Sequence, residues 1–191
     1  MKERPILFSG PMVRAILDGS KTQTRRVFKT HGHSVVEEQL DGTRWPFYED
    51  EYGEWHQHEC PYGVIGDRLW VREAFSNVTE CTHYNHLHDK RQWLYKATDE
   101  TCFPKWKPSI HMPRKASRIT LEITGVRVER LQNISETDAI SEGVAFMSDP
   151  VSAKDEFQIL WESINGHESW NANPWVWVIE FKRVEPPEVQ Q

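Results

Sequence analysis

Apolar and polar positions along this chain fall into regular stretches that name secondary-structure elements, interrupted by two long stretches that do not. Pro5–Phe8 reads as a short strand. Met12, Val13, Ile16 and Leu17 then form one helical stripe, with Ser9 placed to cap the helix, Pro11 in its first turn and Gly19 to end it in a left-handed conformation. Ser20–Arg26 is expected as a polar turn that leads into an extended Val27–Phe28. Leu69–Phe75, entered from a Gly66-Asp67 turn, predicts a strand. From Arg118 the pattern is clean again: Ile119, Leu121 and Ile123 alternate, Gly125 suits a bulge, and Val126 and Val128 resume the alternation. Ser135 opens a short helix with Asp138 as a capping-box variant and Ile134 and Ala139 as a small staple; Gly143 ends it, leaving Glu142 in the last turn. A second helix over about 153–164 puts Phe157, Leu160, Trp161 and Ile164 on one face. Trp175–Phe181 is apolar on both faces up to Glu180, which predicts a central strand.

The irregular stretches, about 29–65 and 77–117, are expected to be excursions from the main fold, the first with one hairpin and the second with a strand at Trp93–Ala97. Loops this long are usually functional or mobile. No internal repeat and no linker divides the chain, so residues 1–184 are expected to form a single α+β domain. The proline- and glutamate-bearing residues 185–191 are expected to fray.

Composition narrows the picture. With 191 residues, 38% of them hydrophobic and 27% charged, the chain can build one core, and nine tryptophans supply large apolar faces. No apolar run approaches the roughly 18–20 residues that cross a bilayer, and Pro11 and Arg14 interrupt any signal-peptide core. Three cysteines, Cys60, Cys81 and Cys102, make no disulfide framework, and a reducing, cytoplasmic setting is expected. The net charge of −6 argues against a general nucleic-acid binder. Two basic clusters stand against it: Lys105, Lys107, Arg114, Lys115 and Arg118, and Arg14, Lys21, Arg25, Arg26 and Lys29. They either meet on one face or remain two solvated loops. His56, His58 and Cys60, with Cys81, His83, His86 and His88, lack the paired spacing of a zinc site, so no metal and no cofactor is expected.

Gly19-x-Lys21-x-x-Thr24-x-Arg26 resembles the Gly-x-Lys-x-x-Glu-x-Arg signature of ASCH domains, relatives of the PUA RNA-binding barrel. Threonine stands here where the general signature has glutamate. That substitution is similar to the bacterial branch that hydrolyses N(4)-acetylcytidine, in which a lysine, a threonine and a later glutamate are the proposed catalytic set. Ser135–Glu142 looks like that branch's short helix, with Glu142 at its glutamate position, and Val178–Phe181 looks like its closing strand. The resemblance covers the N-terminal part and most of 118–181, omits both excursions, and extends in general look to phage and prophage proteins. It implies a small PUA-like mixed β-barrel with flanking short helices and two long insertions, acting on RNA or a modified cytidine nucleoside.

Amide hydrolysis on an acylated base needs a nucleophile, a base to activate it and a proton for the leaving nitrogen. Thr24 can supply the first and Lys21 the second if burial lowers its proton affinity; Glu142 can orient Lys21 or pass the proton. Residues three apart in a strand face opposite ways, so Lys21 and Thr24 are expected to cooperate only if Ser20–Thr24 is a turn or helical loop. Gly19, Ser20, Arg25, Arg26, Trp70, Glu73, Lys105, Lys107, Arg114 and Lys115 are the candidate substrate or RNA contacts, with Trp106 and Trp175 as further stacking rings. Each has an ordinary alternative: Glu73 can pair with an arginine, and most tryptophans can be core. Two other functions stay open, a non-catalytic RNA-binding module and a metal-independent ribonuclease.

Overall fold

The computed structural model describes residues 1–29, 34–38, 44–80, 92–99, 104–144 and 152–184. The tail 185–191 and Cys81, His83, His86, His88 and Cys102 lie outside the described residues.

Ten strands and three α-helices follow in chain order among the described residues: β1 (Glu3–Leu7), α1 (Gly10–Asp18), β2 (Gln23–Val27), β3 (Ser34–Glu38), β4 (Arg44–Glu49), β5 (Trp55–Gln57), β6 (Arg68–Arg72), β7 (Phe75–Asn77), β8 (Trp93–Tyr95), β9 (Thr120–Arg130), α2 (Glu136–Ser141), α3 (Ala153–Asn165) and β10 (Trp175–Val184). The main sheet runs β1-β6-β9-β10-β2 and is mixed: β1 and β6 are parallel, the other pairs antiparallel.

β10 is interior, as its two apolar faces require. Trp177, Ile179 and Phe181 join the larger core with Ile6, Leu69, Leu121, Ile123 and the α1 residues Val13 and Ile16. Val176 and Val178 face the other way, into a second core with Ala139 of α2 and Phe157 and Trp161 of α3. The bulge falls where Gly125 predicts it. The β9–β10 register shifts between Glu180 and Phe181, and a Cβ at Gly125 would lie 2.6 Å from Glu180 Oε2.

Three expectations change. The sheet does not close into a barrel: β1 and β2 are its edges, and no ladder joins them. Phe8 and α1 residues Val13 and Ile16 belong to the same core, and Arg26 Nη2 of β2 donates to Leu7 O of β1 at 2.6 Å. The Leu69–Phe75 strand breaks after Arg72, because Phe75 turns away to pair with Tyr95 in the separate β7–β8 hairpin. The first excursion carries a three-stranded meander, β3-β4-β5, and no single hairpin; Trp45 of β4 anchors it against Trp177, ring centroids 5.8 Å apart. No helix among the described residues is long and apolar enough to cross a membrane.

Candidate functional site

The site begins at the end of α1. Gly19 takes φ 84°, the left-handed cap, and turns the chain back so that Lys21 N–H donates to Ala15 O at 2.9 Å. From Lys21 the backbone is already extended, not a helical loop: Lys21 forms an antiparallel bridge with Glu142, and Thr22 N–H donates to Ser141 O at 2.8 Å. Residues 121 positions apart are thereby locked together where α1 and α2 end. Gly143 permits the contact. Its φ is 79°, and a Cβ there would lie 2.8 Å from both Ala15 Cβ and Lys21 Cβ.

Lys21 is buried with its charge. Nζ donates to Glu142 Oε2 at 2.9 Å, to Glu142 O at 2.8 Å and to Gln23 O at 2.8 Å, so all three ammonium hydrogens are placed. Burial pushes this amine below its ordinary lysine value; Glu142 opposes the fall, and Arg26 and Arg25 add to it. The other Glu142 oxygen accepts from Arg25 Nη1 at 3.0 Å. Arg25 is itself buried and is held by Glu129 through Nε at 3.0 Å and by Asp138, 3.2 Å from Nη2. The Asp138 backbone N–H donates to Ser135 Oγ at 3.1 Å, closing the cap of α2. Its carboxylate is spent on Gln23 and Arg127, and Arg127 also pairs with Glu180.

Thr24 sits one position along β2, buried and opposite Ile179. In the β2–β10 ladder the even-numbered β2 residues are hydrogen-bonded to β10, as Phe28 N–H to Trp175 O and Phe181 N–H to Thr22 O show. The backbone groups of Arg25 and Val27 therefore point to the free edge of the sheet. Along this edge lies a cavity of about 60 Å³ lined by Thr24, Arg25, Arg26 and Glu142, by Met12 of α1, and by an apolar wall from α3. Arg26 has no carboxylate partner among the described residues, and its guanidinium lies over the Phe8 ring at 5.3 Å. Burial lowers its proton affinity from the ordinary arginine value.

The structure thus gathers Lys21, Thr24, Arg25, Arg26 and Glu142. Gly19 and Ser20 shape the turn and present no side chain to the cavity. Lys21 makes no hydrogen bond to Thr24 and does not line this cavity; the extended chain from Lys21 replaces the turn that was expected to join the two, and all three ammonium hydrogens have other acceptors.

The other candidates lie elsewhere. Glu73 is buried in a two-point pair with Arg118, at 2.9 and 3.0 Å, and Arg118 stacks on Tyr95 at 4.0 Å. Burial raises the Glu73 carboxyl above the ordinary glutamate value, Arg118 working against it. Trp70 carries the Arg72 guanidinium at 5.0 Å, and Trp175 carries Arg130 at 4.4 Å. Trp106 packs on Val78 and Leu94. Within the basic stretch Lys107 pairs with Glu80 at 2.9 Å and Arg114 with Glu3 at 3.0 Å, while Lys105 and Lys115 lie in the same 104–118 segment and do not line the Thr24 cavity. His56 pairs with Asp50 at 2.7 Å and His58 packs edge-on to Phe28; among the described residues no group of three or more His, Cys, Asp or Glu is arranged to hold a metal.

Sequence reasoning did not assign Glu129, Asp138 or Trp161 to the site. Asp138 carries a capping signature and Trp161 a core-facing one, and both readings are correct locally; no local signal marks their second role. Comparison of the chain with protein-family models, with curated proteins and with solved structures finds no match to any of them.

Proposed function

We propose that this protein hydrolyses the amide of an N(4)-acylated cytidine, with Thr24 as nucleophile and Lys21 as base. The observation that carries the reading is the buried Lys21–Glu142 pair, whose glutamate lines the same small cavity as Thr24. A lysine removed from water gives up its proton more readily than an exposed one, the property a base near neutral pH needs. Exchanging its bond to Gln23 O for the Thr24 hydroxyl, the neutral amine takes the hydroxyl proton as Oγ1 attacks the acyl carbon. The C–N bond breaks, and the ammonium returns that proton to the departing N4 amine. Water then cleaves the threonine ester, releasing the carboxylic acid and restoring the hydroxyl. Glu142, fixed by Arg25, holds Lys21 in place through both steps. A mixed sheet with helices on both faces is compatible with the PUA-like ASCH architecture, and membership of that fold is part of the same proposal.

One observation favours a second reading. All three Lys21 hydrogens are satisfied, as in a structural ion pair, which suits a module that binds RNA without cleaving anything. Incubation with N(4)-acetylcytidine, read by chromatographic release of cytidine, separates the two. The wild type is expected to turn over, and Lys21→Ala and Thr24→Ala, checked for folding by circular dichroism, to lose at least about 10³-fold in kcat. Absence of cytidine release, together with salt-sensitive retention of a labelled RNA, would replace the hydrolase with the binding module.

A further inference from the structure

The core face of the main sheet runs out into a second cleft at the end where β1 begins. Lys2 and Arg4 alternate with Glu3 and Pro5, and so share a side of the chain with the core residues Ile6 and Phe8. Beyond the core these two cations border a cleft of about 700 Å³, lined also by Trp45 and Gln57 of the meander, the loop that follows it and Val126 of β9. It shares no lining residue with the Thr24 cavity. Sites that enclose a whole small ligand are about 300–1,000 Å³, mostly apolar with a few placed polar groups.

The polar groups of this cleft divide into occupied acceptors and open donors. Asp67 accepts from Lys2 N–H through Oδ1 at 2.7 Å and from Arg4 Nη1 through Oδ2 at 2.9 Å. Arg4 gives it one of its five N–H groups. The Arg4 side chain is 30% exposed and none of its nitrogens is among the sealed, unpartnered atoms, so the remaining N–H groups reach solvent. Gly63 lets the pair lie against the cleft wall: a Cβ there would sit 2.8 Å from Arg4 Nη1 and 2.9 Å from Asp67 Oδ2. Lys2 is exposed and has no ion-pair partner among the described residues. Glu59, also exposed, is the one lining acid whose carboxylate is not occupied. The apolar lining includes half-buried Trp45 and Val126, together with Val64 and Ile65, which are 62% and 68% exposed.

We propose that this cleft binds a small organic anion with a planar ring: Arg4 and Lys2 take its carboxylate or phosphate, and Trp45, Val126, Val64 and Ile65 cover the ring. A guanidinium already oriented by one carboxylate is prepared for a second anion, because its planar fork loses little freedom on pairing. The ring follows from the walls. A cleft of about 700 Å³ is too large for a lone inorganic ion, and a flat apolar body covers Trp45 and the two aliphatic side chains that water otherwise meets. The inference does not rest on the hydrolase reading.

Isothermal titration calorimetry of the whole chain tests it with cytidine 5′-monophosphate, 2-naphthoate, cytidine and inorganic phosphate. At least one of the two ring-bearing anions is expected to bind, at least about tenfold more tightly than cytidine or phosphate. Binding of the nucleotide alone identifies phosphate as the group recognised, and binding of naphthoate alone identifies a carboxylate. If neither ring-bearing anion binds, or if cytidine or phosphate binds equally well, the proposal is overturned. Variants fix the location. Arg4→Met is expected to weaken binding at least about tenfold and Lys2→Ala about threefold. Glu59→Gln removes the opposing charge and is expected to tighten binding about twofold. Arg4→Met strands Asp67 and is checked for folding by circular dichroism. Lys2→Ala and Glu59→Gln alter exposed side chains and carry the test if Arg4→Met does not fold. Unchanged affinity in both of these places the anion elsewhere and overturns the site.

Discussion

Glu73 and Glu142 are both buried carboxylates paired with cations, and Glu142 lines a small cavity. Glu73, in the break between β6 and β7, is held by a single arginine; the Arg118 side chain is 25% exposed and leans on Tyr95. Glu142, at the end of α2, divides its oxygens between Lys21 and Arg25, whose side chains are both 0% exposed. Burial and ion pairing are common to both and so mark neither as a site. What differs is the surroundings: Glu142 lines a cavity together with Thr24, Arg25 and Arg26, and Glu73 is held in a two-point pair with Arg118. Removing the Glu142 carboxylate leaves Lys21 without a countercharge, while Arg25 keeps Glu129 and Asp138. The comparison teaches that a buried ion pair becomes chemically informative through the groups it excludes from water beside it.

The sharpest way to break the comparison is to delete each carboxylate. Glu142→Ala leaves Lys21 buried without its countercharge and is expected to cost about 3–5 kcal/mol in urea unfolding, the range for breaking a buried pair. Glu73→Ala frees an arginine that already reaches solvent, and about 1–3 kcal/mol is expected. Equal losses would show that the two regions are energetically alike.

A smaller effect sharpens the role of the Lys21–Glu142 crossing. Gly143→Ala forces a left-handed non-glycine residue, at about 1–2 kcal/mol. It also drives a methyl into Ala15 and Lys21, adding about 1–3 kcal/mol of overpacking. Gly66→Ala at φ 88°, with nothing within 4 Å of the new Cβ, carries only the backbone cost. Thermal unfolding of the two variants side by side measures the difference, and a Gly143→Ala no worse than Gly66→Ala would mean that the two chain ends do not pack this closely.

The smallest expected effects are the opposite pH slopes of the two regions. The folded-state proton affinity of Glu73 is raised, so its contribution is full below the ordinary glutamate pKa of 4.5 and is lost as pH rises through the higher folded value. That of Lys21 is lowered, so its contribution is full above the ordinary 10.5 and is lost as pH falls through the lower folded value. Urea midpoints followed across pH should lose the first slope in Glu73→Gln and the second in Lys21→Met. If either variant keeps its slope, the burial at that residue is not what shifts its titration.

Much of this was legible locally. The stripe of α1 and its glycine stop, the Ser135 cap and the bulge at Gly125 all depend on neighbours a few residues away, and each is found in place. Lys21, Thr24 and Glu142 could be singled out as a set, though the turn expected to join the first two is extended chain. Arg25 reads in sequence as a surface cation next to Arg26. It is instead the buried clamp on three carboxylates, because strand alternation sends it to the α3 side of the sheet while Thr24 and Arg26 face the α1 side.

By itself, then, the order of residues determined the three helices, the Ser135 cap and the Gly19 stop, the interior position of β10 and the identity of the polar groups near Gly19, since each follows from periodicity, backbone preference or side-chain chemistry acting over one or two turns. Only tertiary structure decided that the sheet stays open between β1 and β2, that Glu73 is paired with Arg118 and closed in, and that Glu142 meets Lys21 across 121 residues beside a cavity walled by Trp161. Pairings at that separation depend on which surfaces the core leaves facing each other, and no local pattern carries that information.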